Sequence, residues 1–177
     1  MPTTIRTPRL DLVPIDPAAI RHLLAGERRL AEGVVGLTLP PEFPTDDDLA
    51  GFLPIQLNRM EQSPDLRDWM ARLMVSDSNQ AIGHCGFHGP PDVIGRAEIG
   101  YTVFTAFRGQ GYAKESARAL TAWALEQGEI DVFASVAPHN AASLAVVRSI
   151  GFRQIGTQED EVDGLELVFA VRAAELR

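Results

Sequence analysis

A chain of 177 residues has the length of one domain with its own core, and 45% apolar with 23% charged residues is a globular composition. No apolar run approaches the roughly 20 residues that cross a bilayer, the first residues lack the apolar core of a signal peptide, and the single cysteine, Cys85, permits no internal disulfide, all of which predicts a cytoplasmic protein without membrane contact. A formal charge of −8 argues against nucleic acid held on a basic surface and mildly favours cationic partners such as amines.

In chain order, Leu10, Leu12 and Ile15 predict a first strand. Asp16-Pro17 then opens a helix, as a capping residue followed by proline at the first helical position. Thr45 with Asp48 three residues on resembles a capping box, and Leu49, Phe52, Leu53, Leu57 and Met60 continue on one helical face up to Ser63-Pro64. Trp69 to Val75 and Ala81 to Phe87 read as a hairpin about "SDSNQ". Within "GHCGFHG", His84 and His88 would share a strand face but stand about 13 Å apart at roughly 3.3 Å per residue, with Cys85 on the other face, so no metal site is expected.

The Pro-Gly-rich "HGPPDVIG" reads as a loop, and Ala97 to Phe104, rich in Ile, Tyr, Thr, Val and Phe, as the next strand. After "RGQG", Ala113, Ala117, Leu120, Ala124 and Leu125 recur at helical spacing. "DVFASVA" and "LELVFAV" supply later strands, with a helix from about Ala141 to Ser149 capped by Asn140. No repeat, low-complexity tract or dividing linker interrupts residues 1–177, which read as a single domain.

The strand, glycine turn and helix over 97–125 carry the chemistry. The first amides of a helix lack intrahelical partners and, with the helix dipole, form an anion site. Gly109 and Gly111 let a phosphate approach without meeting a Cβ, Arg108 places a cation at the mouth, and Lys114 and Arg118 lie one helical turn apart beside it. A bound pyrophosphate and a plain reversal of the chain both fit these residues. No Gly-Lys pair exists for a nucleotide P-loop. A dinucleotide fingerprint is weak, because Lys114 stands where the third glycine or alanine belongs and Asp131 begins a strand instead of ending one.

Arg108-Gly109-Gln110-Gly111-Tyr112-Ala113 resembles the [QR]-x-x-G-x-[GA] signature of the GCN5-related N-acetyltransferases. "TPRLDLVPI", "EIGYTVF" and "PHNAASLAVVRSIGF" extend the resemblance from Thr7 to about Val171, least between Gly26 and Asp65, and place it with the RimJ and RimL type of ribosomal-protein alanine acetyltransferase. The resemblance implies an α/β (α+β) fold: a mixed, mostly antiparallel sheet of about six to seven strands, splayed at its central strands and flanked by helices. It also implies acetyl-coenzyme A as cosubstrate, with its pyrophosphate on the amides of 109–113 and its pantetheine arm pairing with the strand before the turn. Asn140 would bond that arm as well as cap its helix.

The thioester is already activated, so no enzyme nucleophile is required. An amide near Val103 or Phe104 is the candidate oxyanion donor. Glu98 is the candidate acceptor of the amine's proton, directly or through water, against a solvated or salt-bridged strand-end carboxylate. Tyr101 either lines the acceptor pocket or packs in the core. Val147 stands where many members of the superfamily carry a tyrosine acid, and the resemblance points to Ser143 in its stead, against a serine bonding its own helix backbone. The acceptor is a protein N-terminal α-amino group at family level, or else an antibiotic, polyamine or amino acid. A non-catalytic acyl-coenzyme A sensor is the reading from another class. Any spare apolar face belongs to the core or to a homodimer seam.

Overall fold

Short alternating segments and one crossover helix build the observed sheet. The computed structural model describes residues 2–128, 130–160 and 164–172. Its strands are β1 (Ile5–Arg6), β2 (Leu10–Pro14), β3 (Ala71–Ser76), β4 (Ala81–Phe87), β5 (Arg96–Val103), β6 (Asp131–Val136), β7 (Arg153–Asp160) and β8 (Gly164–Val171). They form one sheet in the order β1-β2-β3-β4-β5-β6-β8-β7. Every neighbouring pair is antiparallel except β5 and β6. A parallel pair needs a crossover, and α4 (Tyr112–Glu126) supplies it.

The sheet has eight strands where six to seven were expected. One of the additions, β1, is two residues long. The other, β7, is exposed along its whole length, an edge strand whose single large apolar side chain, Ile155, makes no alternation to announce it. Helix α2 (Arg28–Val35) was equally silent, because Ala31 is its only buried residue. Trp69 belongs to a 3-10 turn over Pro64–Trp69, so β3 begins two residues later than its apolar character suggests.

Two cores lie on the two faces of the sheet. Under α4 and α5 (Ala141–Ser149) sit Ala117, Leu120, Val132, Val147 and Phe169. On the other face, α1 (Pro17–Leu24), α2 and α3 (Leu53–Gln62) cover Ile20, Phe43, Leu53, Met60 and Leu73. The Thr45–Asp48 capping box is present in both directions: Asp48 Oδ2 accepts from Thr45 N at 2.8 Å, and Thr45 Oγ1 accepts from Asp48 N at 3.1 Å. It opens a π-helical turn, Asp48–Phe52, that leads into α3 and holds Asp48 over β4. Among the described residues no helix is long and apolar enough to cross a membrane.

Candidate active site

The ladder between β5 and β6 lasts three residue pairs and ends at Glu98↔Phe133, although β5 continues to Val103 and β6 to Val136. A gap therefore opens in the middle of the sheet. Which groups face it follows from β4. The amide of Phe104 donates to the Ile82 carbonyl and that of His88 to the Glu98 carbonyl, each at 2.9 Å. An antiparallel strand alternates between these points, so the backbone polar groups of Gly100 and Thr102 also turn toward β4. Those of Tyr101 and Val103 turn into the gap, where an extended ligand can complete them as an added strand. Of the two candidate oxyanion amides, Phe104's is thus committed to Ile82. Its ring packs in the far core beside Phe43, with centroids 5.3 Å apart. Val103 faces the gap, and Tyr101, which sequence reasoning did not consider for this role, faces it too.

After β5 the chain turns through Gly109 and Gly111, with φ of +75° and +83°, a region that L side chains enter only at a penalty. An ideal Cβ would meet nothing within 4 Å at Gly109 and only Arg9 Nη2, at 3.6 Å, at Gly111. Backbone conformation, not crowding by the protein, is therefore what these glycines answer to. Gly111 caps α4 without any side-chain bond, leaving the first amides of the helix free beside the cleft. Arg108 Nε donates to the Val103 carbonyl at 3.0 Å, tying the turn to the end of β5.

A second brace comes from the far edge of the sheet. Glu115, in the first turn of α4, accepts from Thr7 Oγ1 at 2.7 Å, Arg9 N at 2.9 Å and Arg9 Nε at 2.7 Å. Arg9 also donates to the Gln110 carbonyl at 3.0 Å and lies 4.4 Å above the Tyr112 ring. Burial raises the Glu115 carboxyl, but the bonds from Thr7 and Arg9 outweigh it and hold the group below its usual range. The clasp joins residues about a hundred positions apart, so no local motif announces it.

Helix α5 brings the third wall. Asn140 Oδ1 accepts from Ser143 N at 3.0 Å, the cap that was expected. Tyr101 OH donates to the Ser143 carbonyl at 3.4 Å. Ser116, Thr121 and Ser149 bond their own helix carbonyls, whereas Ser143 Oγ makes no such bond among the described residues. Val147 is fully buried. The cleft enclosed by these walls is about 540 Å³ and is lined by Val103, Arg108, Gly109, Gly111, Tyr112, Ala113, Lys114, Asn140 and Ser143 with Tyr101 and Thr102. Gln110 gives its carbonyl to Arg9 and does not line the cleft.

Glu98 lies on the opposite face of β5. There Glu98, Gly100 and Thr102 stand across from His88, Gly86 and His84 of the β4 side. His88 Nδ1 is 3.2 Å from Glu98 Oε2. Burial raises the Glu98 carboxyl, and hydrogen bonds from His88 and Ser135 overcome that and leave it lowered. His84, only 8% exposed, stacks on Phe52 with centroids 4.4 Å apart and has Nε2 3.7 Å from Asp48 Oδ1. Burial pushes His84 down to about 4 against the pull of Asp48, so its ring is neutral at pH 7. Cys85 is pushed up to about 12 by burial and is no thiolate nucleophile. Asp47, Asp48, Phe52, His84, His88, Gly100 and others enclose a recess of about 360 Å³. Tyr101 and Thr102 line both hollows, so the two meet across β5. Among the described residues no group of three or more His, Cys, Asp or Glu side chains is placed to hold a metal ion.

A strand edge of the split sheet, a glycine turn and a helix start thus face one cleft. Residues 9–153 match the family model of the acetyltransferase (GNAT) domain, and the chain belongs to that family. It is 30% identical over 89 residues to an uncharacterized N-acetyltransferase, p20, of Bacillus licheniformis. That match covers 50% of each protein, so the chain spans about half the length of this relative. Mycobacterium smegmatis RimJ in complex with a CoA-disulfide superposes with a TM-score of 0.69 at 20% identity, covering 99% of this chain and 90% of RimJ. A RimL ribosomal L7/L12 alpha-N-protein acetyltransferase in complex with coenzyme A does so with a TM-score of 0.66 at 19% identity, over 96% and 98%. At such identities the superpositions establish the shared fold.

Proposed function

We propose that this chain transfers the acetyl group of acetyl-coenzyme A directly to a primary amine, in a complex that holds both substrates at once. The observation that carries the reading is the gap beyond Glu98↔Phe133, with Tyr101 and Val103 amides facing it and unbonded helix-start amides beside it. The amides of Gly109, Gly111, Tyr112 and Ala113 hold the pyrophosphate, with Arg108 at its edge. Tyr101, Val103 and Asn140 hold the pantetheine arm, and an amide of Val103 or Tyr101 stabilises the carbonyl oxygen as charge develops on it. Ser143 Oγ, free of its own helix, meets the departing sulfur. The amine arrives from the recess on the other face, where His88, paired with Glu98 at 3.2 Å, stands ready for its proton and Asp47 and Asp48 favour a cation.

For the acceptor, a protein N-terminal α-amino group is the first reading, supported by the RimJ and RimL likeness. A small cationic amine is the second, favoured by the modest, carboxylate-rimmed recess. The test is thiol release from acetyl-coenzyme A with a panel of N-terminal peptides and small amines. Release with peptides is expected. Tight coenzyme binding without release on any amine would make the chain an acyl-coenzyme A sensor, and no binding would overturn the reading altogether.

A further inference from the structure

Glu98 is the candidate acceptor of the amine's proton, yet the side chain that lines the recess belongs to its neighbour, His88. We propose that His88 Nε2 receives the proton lost by the acceptor ammonium, and that Glu98 is a positioning residue that holds the His88 ring; this rests on the acetyltransferase reading above. The carboxylate at 3.2 Å fixes the hydrogen on Nδ1, so Nε2 carries the ring's lone pair. Glu98 itself is already engaged by His88 and Ser135 and held low, and is the weaker base for it. Ser135 Oγ in turn accepts from Gln158 Nε2 at 2.9 Å, so its own hydrogen is available to Glu98.

Placement points the same way. The His88 ring folds down onto β5 at Gly100: its Nε2 lies 2.8 Å from the position a Gly100 Cβ would take. Glycine at 100 is therefore what lets the ring sit one residue from Tyr101, whose amide faces the thioester gap. The His88 side chain is 56% exposed and lines the recess, so an amine reaches it. The other titratable groups around the recess are Asp47 and Asp48 from the start of the α3 segment, His84 and Cys85 from β4, and Tyr101 from β5.

The protons balance. An acceptor R–NH3+ gives one proton to His88 Nε2, and the imidazolium, paired with Glu98, passes it to water. The neutral nitrogen forms its bond to the carbonyl carbon as the carbon–sulfur bond breaks. The second nitrogen-bound proton goes to the leaving sulfur through Ser143 or water and yields the thiol. No further reactant is needed.

The experiment measures thiol release by the full chain carrying His88→Ala, His88→Gln, Glu98→Gln or Gly100→Ala, with acetyl-coenzyme A and the best amine of the panel, from pH 6 to 9. Loss of a general base removes about 10²–10⁴-fold. That loss is expected for both His88 variants, greatest at the low-pH end, with coenzyme A binding unchanged and part of the His88→Ala rate restored by added imidazole. Glu98→Gln should lose less and shift the pH midpoint of kcat/KM, and Gly100→Ala should lose activity by displacing the ring. A His88→Ala protein that matches the parent, or that ignores imidazole while Glu98→Gln is the more damaged variant, overturns the assignment and returns the proton to Glu98. A parent inactive on every amine overturns the acetyltransferase reading and the role of His88 with it.

Discussion

The two hollows that meet at Tyr101 are built by opposite means. The proposed coenzyme side is made of backbone: amides of Tyr101 and Val103, the turn through Gly109 and Gly111, the open start of α4. The proposed acceptor side is made of side chains delivered by separate elements: Asp47 and Asp48 ahead of α3, His84 and His88 from the β4 side, with Glu98 of β5 paired to His88. A backbone cradle tolerates changes of side chain and not of φ. A side-chain recess can be re-cut by single substitutions while the sheet beneath it stands, and on the proposed function this is the half in which acceptor choice varies.

The sharpest way to break that contrast is Gly111→Val. A β-branched residue at φ +83° carries about 1–2 kcal/mol of strain, and relief of it moves the amides, so coenzyme A affinity should fall by roughly five- to thirtyfold, given about 1.4 kcal/mol per tenfold. Calorimetric titration of a variant shown by its melting curve to be folded decides it; undiminished affinity would remove the cradle. Next comes Ser143→Ala, the one side chain of the coenzyme side asked to act during reaction. Sulfur accepts hydrogen bonds more weakly than an oxyanion, so a loss of roughly ten- to hundredfold in turnover is expected, with coenzyme binding unchanged. The deficit should shrink with a thioester whose thiol leaves more readily, and equal rates with chemistry limiting would leave water as the donor.

Smaller effects sharpen the comparison. Glu115→Gln should weaken coenzyme A binding by about tenfold, on the order of one charge-assisted hydrogen bond, because it loosens the turn without touching the ligand. The same carboxylate sets a pH limit. Its folded pKa lies below the ordinary 4.5, so its contribution is complete above 4.5 and is lost as pH falls through the depressed value. The parent's melting temperature should therefore drop more steeply below pH 4.5 than that of Glu115→Gln. Least affected should be Arg108→Ala, a few-fold in coenzyme affinity, since the amides remain and only the brace on the Val103 carbonyl goes.

The backbone-built half was also the legible one. Strand, glycine turn and helix are contiguous from 97 to 125, the Asn140 cap acts over three residues, and the Thr45–Asp48 box is equally local. Phe104 and Val103 could not be told apart, because which amides face the gap depends on the register with β4. The bonds between His88 and Glu98 and between Arg9 and Glu115 exist only once strands and helix have been assembled. Gly26 to Asp65, where the resemblance to the family is least, supplies Asp47, Asp48 and Phe52 of the recess that His88 lines. Strand β7 stayed hidden because an exposed edge needs no apolar pattern.

The clasp from Thr7 and Arg9 onto Glu115 couples the outer hairpin of the sheet to a ligand site it does not line. Coupling free energies are reciprocal: if an ordered β1–β2 turn strengthens coenzyme binding, bound coenzyme must steady that turn to the same degree. The amides of Arg9 and Leu10 should then exchange with solvent more slowly in the presence of coenzyme A, which makes that distant edge a sensor of occupancy.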